Sequence, residues 1–219
     1  MPIPSNPKNT PRITAREQVY ITLREWIING TLEPNEKLSD LEISRYFSVS
    51  RTPVREAMQL LANQRLIEIH PGKESFVAPI DMDNIHQIYT LLAEFHGLAV
   101  RFSFDKITAD VIQNLEQINS FFHNSSAIPD FAAFQKRDEA FHNVFLQLAE
   151  NDFLKNFTDT LYIHALRIEN LYYTEANSST FSFMEHEKII DALKEHNLEL
   201  AVKEMKYNWI HTRDIFFNK

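Results

Sequence analysis

The sequence predicts a mostly α protein in two parts: a small head of three helices closed by a β-hairpin, and an all-helical body of six helices. Three observations lead there. Apolar residues recur at helical spacing along nearly the whole chain. Strand character gathers in one place, at residues 66–69 and 75–77 on either side of His70-Pro71-Gly72-Lys73. Charge divides where the pattern does: residues 1–79 hold 10 Lys+Arg and 9 Asp+Glu, net +1, and residues 80–219 hold 12 and 21, net -9, out of -8 for the chain.

Composition narrows the function classes. Cysteine is absent, so disulfides and thiolate metal sites are excluded. No apolar run approaches the roughly 20 residues that span a bilayer, and the N-terminus lacks a signal-peptide pattern. A cytoplasmic protein with no membrane partner is expected. The organisation reads as a tail at 1–13, a head at 14–79 and a body at 81–219.

Residues 1–12 contain four prolines and little apolar periodicity, which reads as a flexible tail. Val19, Leu23, Trp26 and Ile27 mark a helix over 14–29, with Gly30 as its C-terminal stop. Residues 32–38, containing Pro34, read as a turn. Ser39 and Glu42 form a capping box that opens a short helix through Tyr46. Phe47-Ser48-Val49 is the turn into a third helix, with Thr52 as its cap and Pro53 at its first position.

That third helix has two sides. Val54, Ala57, Met58 and Leu61 make an apolar stripe; Thr52, Arg55, Gln59 and Ala62 fall on another face, with Arg51 at its edge. Guanidinium and amide groups pair with guanine and adenine edges in a major groove and hold phosphates. Over residues 43–57 the charged side chains are Arg45, Arg51, Arg55 and Glu56, so the local field is positive. Alone, the stretch reads equally as an amphipathic surface helix with solvated arginines. The tight turn before it and the hairpin after it favour a helix-turn-helix with a wing, whose tip offers Lys73 to a phosphate or the minor groove.

Residues 14–79 resemble the N-terminal domain of the GntR family of bacterial transcription regulators. The resemblance rests on Gly30, Pro34, Leu38, the run Val49-Ser50-Arg51-Thr52-Pro53-Val54-Arg55-Glu56-Ala57, Leu66 and the hairpin. It implies a winged helix-turn-helix, dimeric on a two-fold-related DNA operator, with Arg51 and Arg55 at base edges and phosphates. Three glycines usual in the family are replaced by Asn35, Arg65 and Glu74, and a common basic residue by Leu41. Glu74 sets a negative charge beside Lys73.

In the body, helical periods run near 82–104, 109–124, 130–149, 152–175, 181–196 and 198–217, separated by short polar breaks. Most of the 17 phenylalanines lie here. A bundle of this kind can hold a ligand site at its centre. In the third of these helices Asp138 and His142 lie within the apolar arc of Phe131, Phe134, Phe141 and Phe145. A carboxylate turned into a core needs compensation. His186 shares a face with Phe183, Ile190 and Leu193; Asn208 with Ala201, Met205 and Ile215, flanked by His211; His164 with Phe153, Phe157, Ile168 and Leu171, with Arg167 near the edge. Oxygen and nitrogen donors of this kind suit Zn²⁺, Ni²⁺ or Mn²⁺. Satisfied core histidines are the competing reading.

Residues 81–219 resemble the FCD (FadR C-terminal) effector-binding domain, and six helices resemble its shorter VanR-like branch. The resemblance implies metal ligation by Asp138, His142 and His186, with Asn208 where the family has a fourth histidine, and His211 or His164 as substitutes. An arginine and a glutamate usual in the first helix of the body are Leu92 and His96 here. An arginine there would clamp a carboxylate effector; Arg167, Arg101, His164 and His96 are the candidate effector contacts.

The expected function is a ligand-responsive DNA-binding regulator, a homodimeric repressor of a metabolic operon. It is not expected to be an enzyme. The alternative is a hydrolase using Asp138, His142 and His186 to hold a water-activating metal.

Overall fold

The computed structural model describes residues 13–70, 74–123, 131–172 and 180–217. The chain divides into two compact units, Met1–Ile80 and Asp81–Lys219. The tail read at residues 1–12 and the wing-tip Lys73 lie outside the described residues.

The first unit contains α1 (Ala15–Ile28), β1 (Lys37–Leu38), α2 (Asp40–Tyr46), α3 (Arg51–Asn63), β2 (Ile67–Ile69) and β3 (Ser75–Val77). A capping box starts α1: the Thr14 N–H donates to Glu17 Oε2 at 2.8 Å, and the Glu17 N–H to Thr14 Oγ1 at 3.2 Å. Gly30 follows the last turn at φ 77°, a left-handed geometry that a Cβ would penalise. Ser39 caps α2, its hydroxyl oxygen accepting from the Glu42 N–H at 3.3 Å.

Two expectations are corrected. Lys37 and Leu38 form a strand, not a turn, pairing antiparallel with Phe76 and Ser75 in a sheet of order β1-β3-β2. Two residues are too short to show alternation, so the pattern missed them. And α3 begins at Arg51, with Ser50 at the cap and no side-chain capping bond. Thr52 sits inside the first turn. Pro53 is tolerated two residues after the start because the first four N–H groups of a helix have no intrahelical acceptor.

The packing follows the stripe. Val54, Ala57, Met58 and Leu61 are buried, as are Val19, Leu23 and Ile27 of α1, against which α3 packs. Each fully buried side chain of this size contributes about 1.5–3 kcal/mol. That docks the apolar side of α3 and turns Arg51, Thr52, Arg55 and Gln59 outward. Asn35 at φ 66° and Arg65 at φ 58° occupy left-handed geometry at two of the positions where the family pattern has glycine.

The second unit contains α4 (Met82–Ser103), a 3-10 turn at Phe104–Lys106, α5 (Ala109–His123), α6 (Phe131–Leu148), α7 (Asp152–Tyr172), α8 (Thr180–Lys194) and α9 (Leu198–Phe217). Helix α4 packs against α6, α7 and α9, and α8 against α5 and α9. Tyr89, Leu92, Phe141, Phe145, Ile189, Leu193 and Met205 fill the centre. One stripe is corrected. Phe153 is 78% and Phe157 60% exposed, and Leu171 is also exposed; Ile168 of that stripe is buried, together with Leu154, Thr158, Ala165 and Glu169 of the adjoining face. Helix α7 carries two apolar stripes, and periodicity cannot say which one meets the core.

Candidate functional site

In the first unit the outward side of α3 carries three of the expected DNA-contacting residues in one place. Arg51 Nη2 donates to Asp40 Oδ1 at 2.7 Å and Oδ2 at 2.9 Å, and Arg55 Nε donates to Asp40 Oδ2 at 2.6 Å. Burial pushes the Asp40 carboxyl up, but the two guanidinium groups outweigh it and hold it below the usual carboxylate range. Gln59, one turn further on, donates to Asn63 Oδ1 at 3.2 Å. These side chains, with His70 and Ser75 of the hairpin, line one concave face. Arg45 and Thr52 are exposed. Lys37 pairs with Glu74 across the sheet edge, so the wing's negative charge is partly neutralised.

In the second unit Asp138, His142 and His186 converge. Their ligand-capable atoms lie within 4.8 Å of one another. His142 Nε2 is 3.6 Å from Asp138 Oδ2, and His186 Nε2 is 3.5 Å from Asp138 Oδ1. Helical spacing supplies the first pair, four residues apart on α6. The third comes from α8, held by α5. The Asn119 Nδ2 donates to the Phe183 carbonyl at 3.2 Å, which turns Asn119 Oδ1 toward His186 Nδ1, 3.2 Å away. An oxygen can only accept, so Nδ1 carries the proton and Nε2 presents its lone pair to Asp138. Metal-binding histidines are commonly oriented this way by an outer partner.

The electrostatics of the three groups follow from their burial. Burial lowers His142 to about 3, and burial with the neighbouring His142 lowers His186 well below its ordinary value, so both rings are neutral near pH 7. Burial raises Asp138 well above its ordinary value, helped by the carboxylates of Glu169, Glu185 and Glu139. Neutral nitrogens facing a destabilised carboxylate, among further acidic groups, is an environment that a divalent cation relieves.

Asn208 lies beside this cluster and is buried. Its Nδ2 donates to Glu185 Oε2 at 2.8 Å, leaving Oδ1 as the group it can offer elsewhere, and the side chain favours the protonated form of His142. His211 pairs with the other Glu185 oxygen, so it holds Glu185 and does not join the three-residue cluster. His164 is half-buried on α7 and stands outside that cluster too.

Of the candidate effector contacts, His96 is best placed. It is buried, stacks on Trp209 with ring centroids 4.7 Å apart, and meets His142 edge-on at 4.9 Å. These three rings, with Thr158, Tyr162 and Leu146, line a cavity of about 20 Å³, room for one water. His96 Nδ1, His142 Nδ1 and Trp209 Nε1 are buried without a hydrogen-bond partner among the described residues. Arg167 is buried on α7, and burial lowers it to about 10. Arg101 is corrected: it lies exposed, both of its Nη groups taken by Glu199 at 2.6 and 2.7 Å.

Four contributors escaped the sequence reading. Asn119 follows Leu115 by one helical turn on a buried stripe, and a polar residue at such a position was the available signal. Glu185, Trp209 and Asp40 gave none, because each acts through a partner distant in sequence.

Family models match both units. Residues 15–77 match the bacterial regulatory proteins of the gntR family, and residues 84–209 match the FCD domain. The chain belongs to the GntR family of FCD-containing regulators. Among its GntR relatives, the Bacillus subtilis HTH-type transcriptional regulator YdhC is 26% identical over 200 residues, covering 89% of this chain and 87% of that one. The Escherichia coli K12 HTH-type transcriptional repressor RspR is 26% identical over 197 residues, covering 89% and 86%. The solved structure of E. coli McbR/YncC shares the fold at TM-score 0.78 and 17% identity, covering 94% of this chain and 99% of that one. The described helices include none long and apolar enough to cross a membrane.

Proposed function

We propose that this protein is a cytoplasmic, ligand-responsive repressor of a metabolic operon, which binds a palindromic DNA operator as a homodimer. The observation that carries the reading is the outward side of α3, where Arg51, Arg55 and Gln59 stand together above a docked apolar stripe. Arg51 and Arg55 are the base and phosphate contacts, Gln59 and Thr52 secondary ones, Arg45 a phosphate contact, and Lys73 the wing contact. Repression follows the relative RspR, which is a repressor. Six helices among the described residues of the second unit favour the VanR-like branch.

The dimer reading is supported by apolar side chains left outward on two helices that pack on each other: Leu91, Leu98 and Phe102 of α4, and Phe153 and Phe157 of α7. A second copy of the chain covering them would remove large apolar groups from water.

In the second unit the reading is a divalent metal, Zn²⁺, Ni²⁺ or Mn²⁺, held by Asp138, His142, His186 and the Asn208 amide oxygen. Two oxygens and two nitrogens form a harder donor set than three histidines and one carboxylate. The effector is a small metabolite, such as a carboxylate, whose entry beside His96 would require the cavity of about 20 Å³ there to widen, with Arg167 and His164 as further contacts on α7. Ligand binding shifts operator affinity only as far as the ligand binds the two states differently. The hydrolase alternative is less favoured, because the buried carboxylates beside the cluster are engaged: Glu185 by Asn208 and His211, and Glu169 by Tyr89 and Gln135.

Selection of the full-length protein on a random-sequence duplex library tests the reading. Enrichment of a two-fold-symmetric motif, with a dimer in sedimentation, is expected. No enriched motif at moderate salt would sink it.

A further inference from the structure

Asp40 stands where two arginines need a reason to hold still. It is the first residue of α2, and its side chain is only 20% exposed, against 50% for Arg51 and 63% for Arg55. Both its oxygens are engaged: Oδ1 by Arg51 Nη2, and Oδ2 by Arg51 Nη2 and Arg55 Nε. Arg55 therefore meets the carboxylate side-on and keeps its end-on pair, Nη1 and Nη2, for another partner. That pair of parallel donors is what a guanine O6/N7 edge accepts. Arg51 keeps Nη1 and Nε. Fixing a long arginine side chain on a target costs rotamer entropy. A carboxylate that fixes both forks before DNA arrives moves that cost into folding.

We infer that Asp40 is a positioning residue for sequence readout: by clamping Arg51 and Arg55 between α2 and α3, it sets which base edges they meet. This rests on the DNA-binding reading above. It has an unusual signature, because Asp40 is itself anionic and faces a polyanion. As a mere surface ion pair, its removal takes one negative charge from the interface, tightens binding to all duplexes and leaves discrimination alone. As a positioning residue, its removal leaves binding to random duplex the same or tighter while discrimination falls. Misfolding lowers both.

The test is selection on a random-sequence duplex library with the full-length wild type, Asp40→Ala, Asp40→Asn and Asp40→Glu. Binding to the wild-type motif and to a scrambled duplex is then titrated at several salt concentrations. Thermal melting checks that each variant folds, and Asp40→Asn, which keeps shape and one acceptor, serves if Asp40→Ala does not. Expected for Asp40→Ala is a ratio of specific to scrambled affinity reduced by about 5- to 100-fold. Scrambled-duplex binding should be unchanged or up to about 5-fold tighter, with a steeper salt dependence. Asp40→Glu should restore part of the ratio. The inference is overturned if the folded Asp40 variants enrich the wild-type motif with the same discrimination. A wild type that enriches no motif refutes the DNA-binding reading itself, and the two failures are distinct.

Discussion

Replacing Asp138 by Asn should move the stability of the second unit in opposite directions with and without metal. In the metal-free protein the Asp138 carboxylate is disfavoured by burial and by the carboxylates of Glu169, Glu185 and Glu139. Its raised proton affinity means that ionising it opposes folding, a cost absent at low pH, growing as pH rises from the unfolded value to the folded one and constant above it. The amide removes that cost, so the chelator-treated variant should melt higher than chelator-treated wild type at pH 8. With metal the order reverses. The Asp138 carboxylate faces both rings, Oδ2 toward His142 Nε2 at 3.6 Å and Oδ1 toward His186 Nε2 at 3.5 Å, so without its charge the trio is left with two neutral nitrogens and an amide. A metal at one hundred times its Kd stabilises by about 2.7 kcal/mol. For a unit of this size that is a midpoint rise of roughly 5–10 °C. The assay is calorimetric melting of untagged protein, stripped with chelator and titrated separately with Zn²⁺, Ni²⁺ and Mn²⁺. The reasoning is refuted if the wild type shows no rise with any of the three, or if Asp138→Asn shows the same rise.

Three further outcomes follow from other parts of the molecule. Arg65 sits at φ 58°, where a Cβ costs about 1–2 kcal/mol and glycine adds back about 0.5–1 kcal/mol of chain entropy; Arg65→Gly should therefore stabilise the first unit by roughly 0.5–1 kcal/mol in a denaturant titration. Glu169 is raised to about 7 by burial, partly offset by Tyr89 and Gln135, so in chelated protein stability should fall as pH rises from about 4.5 to 7 and stay lower above; Glu169→Gln should flatten that fall, by at most about 3 kcal/mol, in urea melts across pH. Phe157→Asp should raise the dimer dissociation constant at least about 10-fold in sedimentation equilibrium while leaving the melting midpoint of the monomer nearly unchanged, since the ring is 60% exposed.

Much of the fold was legible because helices announce themselves over many residues. The stripe on α3 and the i,i+4 pair Asp138–His142 are properties of one helix, and one helix can be read alone. What stayed hidden depends on a second element. The strand at Lys37–Leu38 exists only because β3 lies beside it. The orientation of α7 is decided by α4 and α6, so Phe153 and Phe157 face outward although their spacing suits a core. Asn119, which sets the tautomer of His186, lies 67 residues away from it. The replaced glycines show the converse: Asn35 and Arg65 keep the left-handed backbone that glycine makes easy, so the turn geometry survives a change that hides its signature.

The most direct measurement is the affinity of Arg55→Ala, relative to wild type, for the selected duplex and a scrambled one at fixed salt, read by fluorescence anisotropy on dimeric protein. Loss of the Arg55 fork should cost about 1–3 kcal/mol on the selected duplex and clearly less on the scrambled one. Equal losses on both duplexes, or no loss on either, would contradict the reading of α3 as the element that recognises sequence.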